Sequence, residues 1–147
     1  MWEVAEVIPS REAMEQALEK RQGTERTVRF SAATVAVCGL GGLGSHIAVF
    51  LARAGVGRLV LIDFDRVDVT NLHRQEYKAS QVGRYKTEAL RENLLEIAPY
   101  TQYEIHTVRL DEHNAAKLLS GADLICEAFD GAEDKAMLAG VVLETMP

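Results

Sequence analysis

Thr34 to Cys38 is an unbroken β-prone run, Thr-Val-Ala-Val-Cys, and it stops on six residues of which four are glycine, Gly39-Leu-Gly-Gly-Leu-Gly44. A strand that is apolar on both sides must be covered on both sides, which suits the interior of a parallel sheet. After the glycines, Ser45 to Ala54 reads as a helix closed by Gly55-Val-Gly57, and Arg58 to Ile62 is a second buried strand. A helix with Ala89, Leu90, Leu94 and Ile97 on one face ends before Pro99. Tyr103 to Val108 alternates as a third strand, Glu112 to Leu119 is a short helix, Asp123 to Ala128 a fourth strand, and Glu133 to Thr145 a last helix. Strand and helix in alternation, joined by right-handed crossovers, give an α/β class. The expected fold is a doubly wound, mainly parallel Rossmann-like sheet with helices on both faces.

Ahead of this body, Ser10 to Arg21 places Ala13, Met14, Ala17 and Leu18 on one helix face, with Pro9 and Ser10 as start signals. Gln22-Gly23-Thr24 interrupts it, and Arg26 to Ser31 leads into the first strand. The organisation expected is therefore a helical arm over 1–33 and a nucleotide-binding domain over 34–147. Because only four strand candidates precede Pro147, that domain is expected to be truncated at its C-terminal end. A length of 147 residues leaves room for one core. The net charge of −6 gives no general attraction for phosphate backbones or anionic lipid, so nucleic acid and membrane are not expected partners. The longest apolar stretch, Val35 to Gly44, is half a membrane span, and the Met-Trp-Glu start carries no secretory signal, so a cytoplasmic location is expected. Cys38 and Cys126 lie singly inside apolar runs, with neither disulfide nor zinc spacing; both read as buried thiols.

Gly39, Gly41 and Gly44 satisfy G-x-G-x-x-G in the context that gives the pattern meaning, after a strand and at a helix start. There the free N–H groups and positive end of the helix hold a phosphate that absent side chains let approach. Asp63 follows the second strand nineteen residues beyond Gly44, the spacing of a ribose-binding acid. An adenine nucleotide is the expected ligand. The choice between NAD and ATP turns on Arg74 and Lys86, which a pyrophosphate does not require but a triphosphate with a departing pyrophosphate does. Asp130, just past the fourth strand, is placed to hold Mg2+ through one carboxylate oxygen while phosphates supply others. The plainer alternatives are solvated charges for Arg74 and Lys86, and a helix N-cap for Asp130.

From Val35 to Asp130 the chain resembles the ThiF/MoeB-type adenylyltransferases, the superfamily that includes ubiquitin-activating enzymes. The pattern stands as Gly39 to Gly44, Ala54-Gly-Val-Gly57, Asp63-Phe-Asp65, Asn71-Leu-His-Arg-Gln75, Val82-Gly83 with Lys86, and Glu127-Ala-Phe-Asp130. The likeness is nearest to the ThiF branch, which acts on the thiamine sulfur carrier. The resemblance implies that a small ubiquitin-like carrier with a C-terminal diglycine presents its carboxylate to the α-phosphate of ATP. It also implies that Gly42 lies against the nucleotide, Asp63 takes the ribose hydroxyls, Asn71, Arg74 and Lys86 contact phosphates, and Asp130 binds Mg2+. A homodimer is implied as well, with an arginine, here Arg21, reaching the partner's phosphates. Two other classes remain open on the residues alone: an NAD-dependent oxidoreductase and a non-catalytic nucleotide-binding scaffold.

Overall fold

The computed structural model describes residues 7–146; the first six residues of the expected arm, and Pro147, lie outside the described residues. In chain order the helices are α1 (Arg11–Gln22), α2 (Thr24–Ala32), α3 (Gly44–Arg53), α4 (Lys86–Ile97), α5 (Ala115–Leu119) and α6 (Ala132–Thr145). The strands are β1 (Thr34–Cys38), β2 (Arg58–Ile62), β3 (Gln102–His106) and β4 (Leu124–Glu127). They form one four-stranded sheet in the order β3-β2-β1-β4, every pairing parallel. The register aligns Cys38 with Ile62 and with Glu127, and Ile62 with His106, so the carboxyl ends of all four strands open on one edge. The strand order reverses between β1 and β4, and the crevice at that reversal is where such sheets take ligands.

Alternation along the strands divides the core. Val35, Val37, Leu59 and Leu61 point to one face and pack with Ala48, Val49, Leu90 and Leu94 of α3 and α4. Ala36, Cys38, Val60 and Ile62 point to the other and meet Ala115, Leu119, Leu138 and Val141 of α5 and α6. The doubly wound α/β architecture is thus the one the sequence pattern implies. Among the described residues no helix is long and apolar enough to cross a membrane.

Differences from the sequence reading have local causes. The segment leading into β1 is a second helix, α2, whose run of Thr, Glu and Arg hides an inward face built on Thr27 and Phe30. The third strand ends at His106, because its partner β2 ends opposite that residue. The fifth helix starts at Ala115, since the Asp111 carboxylate accepts from the N–H groups of His113 (2.8 Å) and Asn114 (3.0 Å) and holds a turn there.

Helices α1 and α2 join the body through glycines. Gln22 donates from Nε2 to Thr27 Oγ1 and to the Ala54 carbonyl, both at 3.1 Å, tying α1 to α2 and to the end of α3. A Cβ on Gly57 would stand 1.9 Å from the Ser31 carbonyl oxygen, so α2 lies directly on backbone. Gly57→Ala should therefore push α2 off the sheet edge, costing about 1–3 kcal/mol of overpacking strain. Urea unfolding of the variant beside the wild type measures it; unchanged stability would show that α2 shifts freely.

Candidate functional site

The turn after β1 is shaped by two kinds of glycine. Gly39 takes φ +93°, and its missing Cβ would sit 2.8 Å from the Ala128 carbonyl; a Cβ on Gly44 would sit 1.7 Å from the Gly39 carbonyl. These two let the chain turn and let α3 approach β4. Gly41 and Gly42 instead border open space and flexible side chains: a Cβ on Gly41 would lie 3.6 Å from Gln75 Nε2, and one on Gly42 2.9 Å from Arg74 Nη1. No backbone acceptor is taken by the N–H groups of Gly41, Gly42, Leu43 or Gly44 among the described residues. Four free donors at the start of a ten-residue helix are ready to receive an anion.

Asp63 leaves β2 and bridges two loops. Its Oδ2 accepts from Leu40 N–H and its Oδ1 from Asp65 N–H, both at 2.7 Å, leaving lone pairs on each oxygen toward the crevice. The chain then makes a small ladder with the segment before α4: Lys86 N–H donates to the Asp65 carbonyl at 3.0 Å, and Val67 N–H to the Arg84 carbonyl at 2.8 Å. This ladder carries Lys86, first residue of α4, to the crevice wall. Its side chain is 6% exposed and takes no ion pair or hydrogen bond among the described residues. Asp65 stands nearby, its carboxyl pushed up by burial and by Asp63 and Asp130, with Lys86 pulling against them.

A crevice of about 140 Å³ brings together Gly39, Gly41, Asp63, Asp65, Lys86 and Asp130. Asp130 does not cap α6; the N-cap is Gly131, with no side-chain bond. Among the described residues no three His, Cys, Asp or Glu side chains gather into a metal cage. A lone carboxylate beside incoming phosphates fits Mg2+, which keeps waters and takes one or two protein oxygens. Asn71 is turned partly inward, its Oδ1 accepting from Asp68 N–H at 3.2 Å to cap the 3-10 turn Val69–Asn71. Arg74 is exposed over Gly42. Arg21 is elsewhere: it lines a separate cavity of about 740 Å³ between α1 and the amino ends of β1 and β2, with Arg11, Met14, Leu18 and Tyr100.

Several contributors have no motif. Arg109 stacks over Phe64 at 5.6 Å, pairs with Asp134 at 3.3 Å and closes one side of the crevice. Their only sequence signal is a position just past a strand end. Tyr77 donates its buried hydroxyl to the Leu40 carbonyl at 2.6 Å, and Gln75 is buried with Oε1 unpartnered. The cysteines stay outside the chemistry. Burial first, then Cys126 and Glu127, pushes the Cys38 thiol up to about 12, and burial raises Cys126 as well. They pack on opposite faces of the sheet, which rules out a bond between them.

A doubly wound parallel sheet, with free N–H groups on the turn at its switch point and with Arg74, Lys86 and Asp130 taking no ion pair among the described residues, defines a Rossmann-like α/β protein. Comparison with known proteins narrows this. The ThiF family model matches residues 14–145, and the chain belongs to that family. It is 38% identical over 125 residues to the sulfur carrier protein adenylyltransferase of Thermus thermophilus, covering 80% of this chain and 46% of that protein. The same identity, over 80% of this chain and 32% of the other, relates it to the probable adenylyltransferase/sulfurtransferase MoeZ of Mycobacterium tuberculosis. Its fold superposes on the tRNA N6-threonylcarbamoyladenosine dehydratase TcdA of E. coli, solved in complex with ATP. The TM-score is 0.86 at 30% identity, covering 94% of this chain and 58% of that one. The chain thus spans less than half the length of these two sequence relatives.

Asp63 is the bond that joins the glycine turn to β2. Asp63→Ala should strand two N–H groups and cost about 1–3 kcal/mol of stability before any ligand is added. Urea unfolding without nucleotide tests this, and wild-type stability would show that the carboxylate serves ligand alone.

Proposed function

We propose that this chain carries the ATP-binding crevice of an adenylyltransferase that activates the C-terminal glycine carboxylate of a small ubiquitin-like sulfur carrier. The observation that carries the reading is Lys86: a residue 6% exposed, whose ammonium takes no ion pair or hydrogen bond among the described residues, lining one crevice with Gly39 and Gly41 of the turn. Its ammonium is left free to pair, and a phosphate set against the unbonded N–H groups of the turn would give it a charge-assisted bond. A crevice of about 140 Å³ encloses part of a nucleotide, with the remainder lying along the open turn at Gly41 and Gly42. The relatives, adenylyltransferases among them, and the ATP held by the E. coli dehydratase favour ATP over NAD.

In this reading Asp63 takes the ribose hydroxyls, while Gly39, Gly41, Gly42 and Gly44 form the cradle. Asn71, Arg74 and Lys86 hold phosphates. The carrier carboxylate, already a nucleophile, attacks the α-phosphorus; a new C–O–P bond forms, the Pα–O bond to pyrophosphate breaks, and no general base is needed. The protein's share is alignment and neutralisation of the charge that builds on the leaving group. Asp130 would hold Mg2+, which supplies further positive charge there. Arg21 lies far from this crevice in its own subunit, so it serves a phosphate only across a homodimer, and that is the role proposed for it. A diglycine-tailed thiamine sulfur carrier, a cytoplasmic setting, and a division into an arm over 1–33 and a catalytic unit over 34–147 complete the proposal.

Lys86→Ala removes one charge-assisted phosphate bond, on the order of 1.5–3 kcal/mol, or about 10- to 150-fold in ATP affinity. Calorimetric titration with ATP–Mg2+ and with NAD reads both parts of the claim. Tighter binding of NAD, or full ATP affinity in the variant, overturns it. Carrier-stimulated ATP–pyrophosphate exchange, run with intact carrier and with carrier lacking its diglycine, then tests the substrate.

A further inference from the structure

His46 sits in the first turn of α3, two residues beyond the last glycine of the turn. Its Nε2 lies 2.8 Å from the backbone carbonyl of Arg74, and its Nδ1 lies 3.0 Å from Glu76 Oε1. Both partners are acceptors, so the ring stands between two groups to which its N–H donates. The charged groups facing it come from the Arg74–Glu76 segment: the Glu76 carboxylate itself, and the Arg74 guanidinium over Gly42. Of the charges on neighbouring α4, Glu92 is taken by Arg84, and Glu96 by Lys78.

The same segment is fastened on either side. Ser45 donates its hydroxyl to the Gly41 carbonyl at 2.6 Å and accepts Glu76 N–H at 3.2 Å, while Tyr77 reaches the Leu40 carbonyl. The Glu76 and Tyr77 bonds run from residues 74–77 to the start of α3 and to the glycine turn, and the Ser45 hydroxyl ties those two together. Residue 74, which carries the exposed guanidinium, is held through its N–H by the Asn71 carbonyl at 3.2 Å, and its carbonyl is tied to α3 by His46. Arg74 has no ion pair among the described residues; its position over Gly42 rests on where its backbone is held. A long side chain tethered only at its backbone loses more freedom on meeting a phosphate when that backbone also wanders.

We infer that His46 is a positioning residue for nucleotide binding, clamping the Arg74 backbone against α3 so that the guanidinium stays over the phosphate-facing turn. The inference rests on the proposed ATP reading, and the test separates the two.

ATP–Mg2+ dissociation constants are measured by calorimetry for wild type, Arg74→Ala, His46→Ala and the double variant, with thermal unfolding confirming that each is folded. His46→Ala should weaken ATP binding about tenfold in the wild-type background and have no further effect once Arg74 is alanine. His46→Gln, which keeps one donor for the Arg74 carbonyl, should bind with an affinity between the two. It also carries the test if the alanine variant fails to fold. Wild-type affinity in both His46 variants overturns the inference, as does a double variant whose loss is the product of the two single losses. Failure of the wild type to bind ATP overturns the underlying reading instead.

Discussion

One carboxylate joins the parts of this site. Asp63 stands at the carboxyl end of β2, and each of its oxygens accepts a backbone N–H at 2.7 Å, one from the glycine turn and one from its own loop. The turn after β1 and the loop after β2 are thereby locked to each other before any ligand arrives. Further structure follows from that lock. The Asp65 carbonyl, next along the locked loop, receives Lys86 N–H and so sets where α4 begins. The start of α4 in turn decides where the buried ammonium lies. A carboxylate suits this task because charge-assisted bonds to two amides hold more firmly than neutral ones. It retains lone pairs for a sugar hydroxyl while doing so.

Close backbone approach sets the geometry on the other side of the crevice. With Gly39 against Ala128, and Gly44 against Gly39, the turn has no room for side chains at the points where α3 leans toward β4. Gly41 and Gly42 lack side chains for a different reason, since the side chains of Gln75 and Arg74, and no backbone, lie in front of them. One motif thus combines two demands: half of its glycines make the turn and half leave it uncovered. A substitution in the first pair disturbs folding, and one in the second leaves the fold and fills the cradle.

What the sequence made legible divides along contact range. The strand-turn-helix at Thr34–Arg53 could be read because the glycine run directly follows the strand in chain order, and Asp63 stood out as the acid just past the second strand. The doubly wound order followed from alternation alone. Helix α2 stayed hidden, since its packing surface is a backbone contact at Gly57 and not an apolar stripe. The parts played by His46, Tyr77 and Arg109 stayed hidden too. Each acts through a partner more than twenty residues distant, such as Arg74 for His46 or Leu40 for Tyr77, and no short-range pattern marks such a pair. Asp130 illustrates the limit in the other direction: its spacing ahead of a helix allows an N-cap, and only the placement of Gly131 as the cap frees it for the crevice.

Electrostatics around Lys86 gives the site its poise. Three carboxylates, Asp63, Asp65 and Asp130, share the crevice with this one buried ammonium, and the excess of negative charge shows in Asp65, whose ionisation burial and the other two acids oppose. Acids that resist one another at the mouth of a phosphate cradle form a poor site for a bare anion. They form a good one for an anion that arrives with a divalent cation. The chain as a whole carries −6, so no general field draws nucleotide in. In the proposed reading recognition falls to local groups, with free amides and the cations Arg74 and Lys86 taking phosphate and the carboxylates answering a metal. On that reading the metal answers the carboxylates and the phosphates answer Lys86, so a chain acidic overall can still take an anionic ligand.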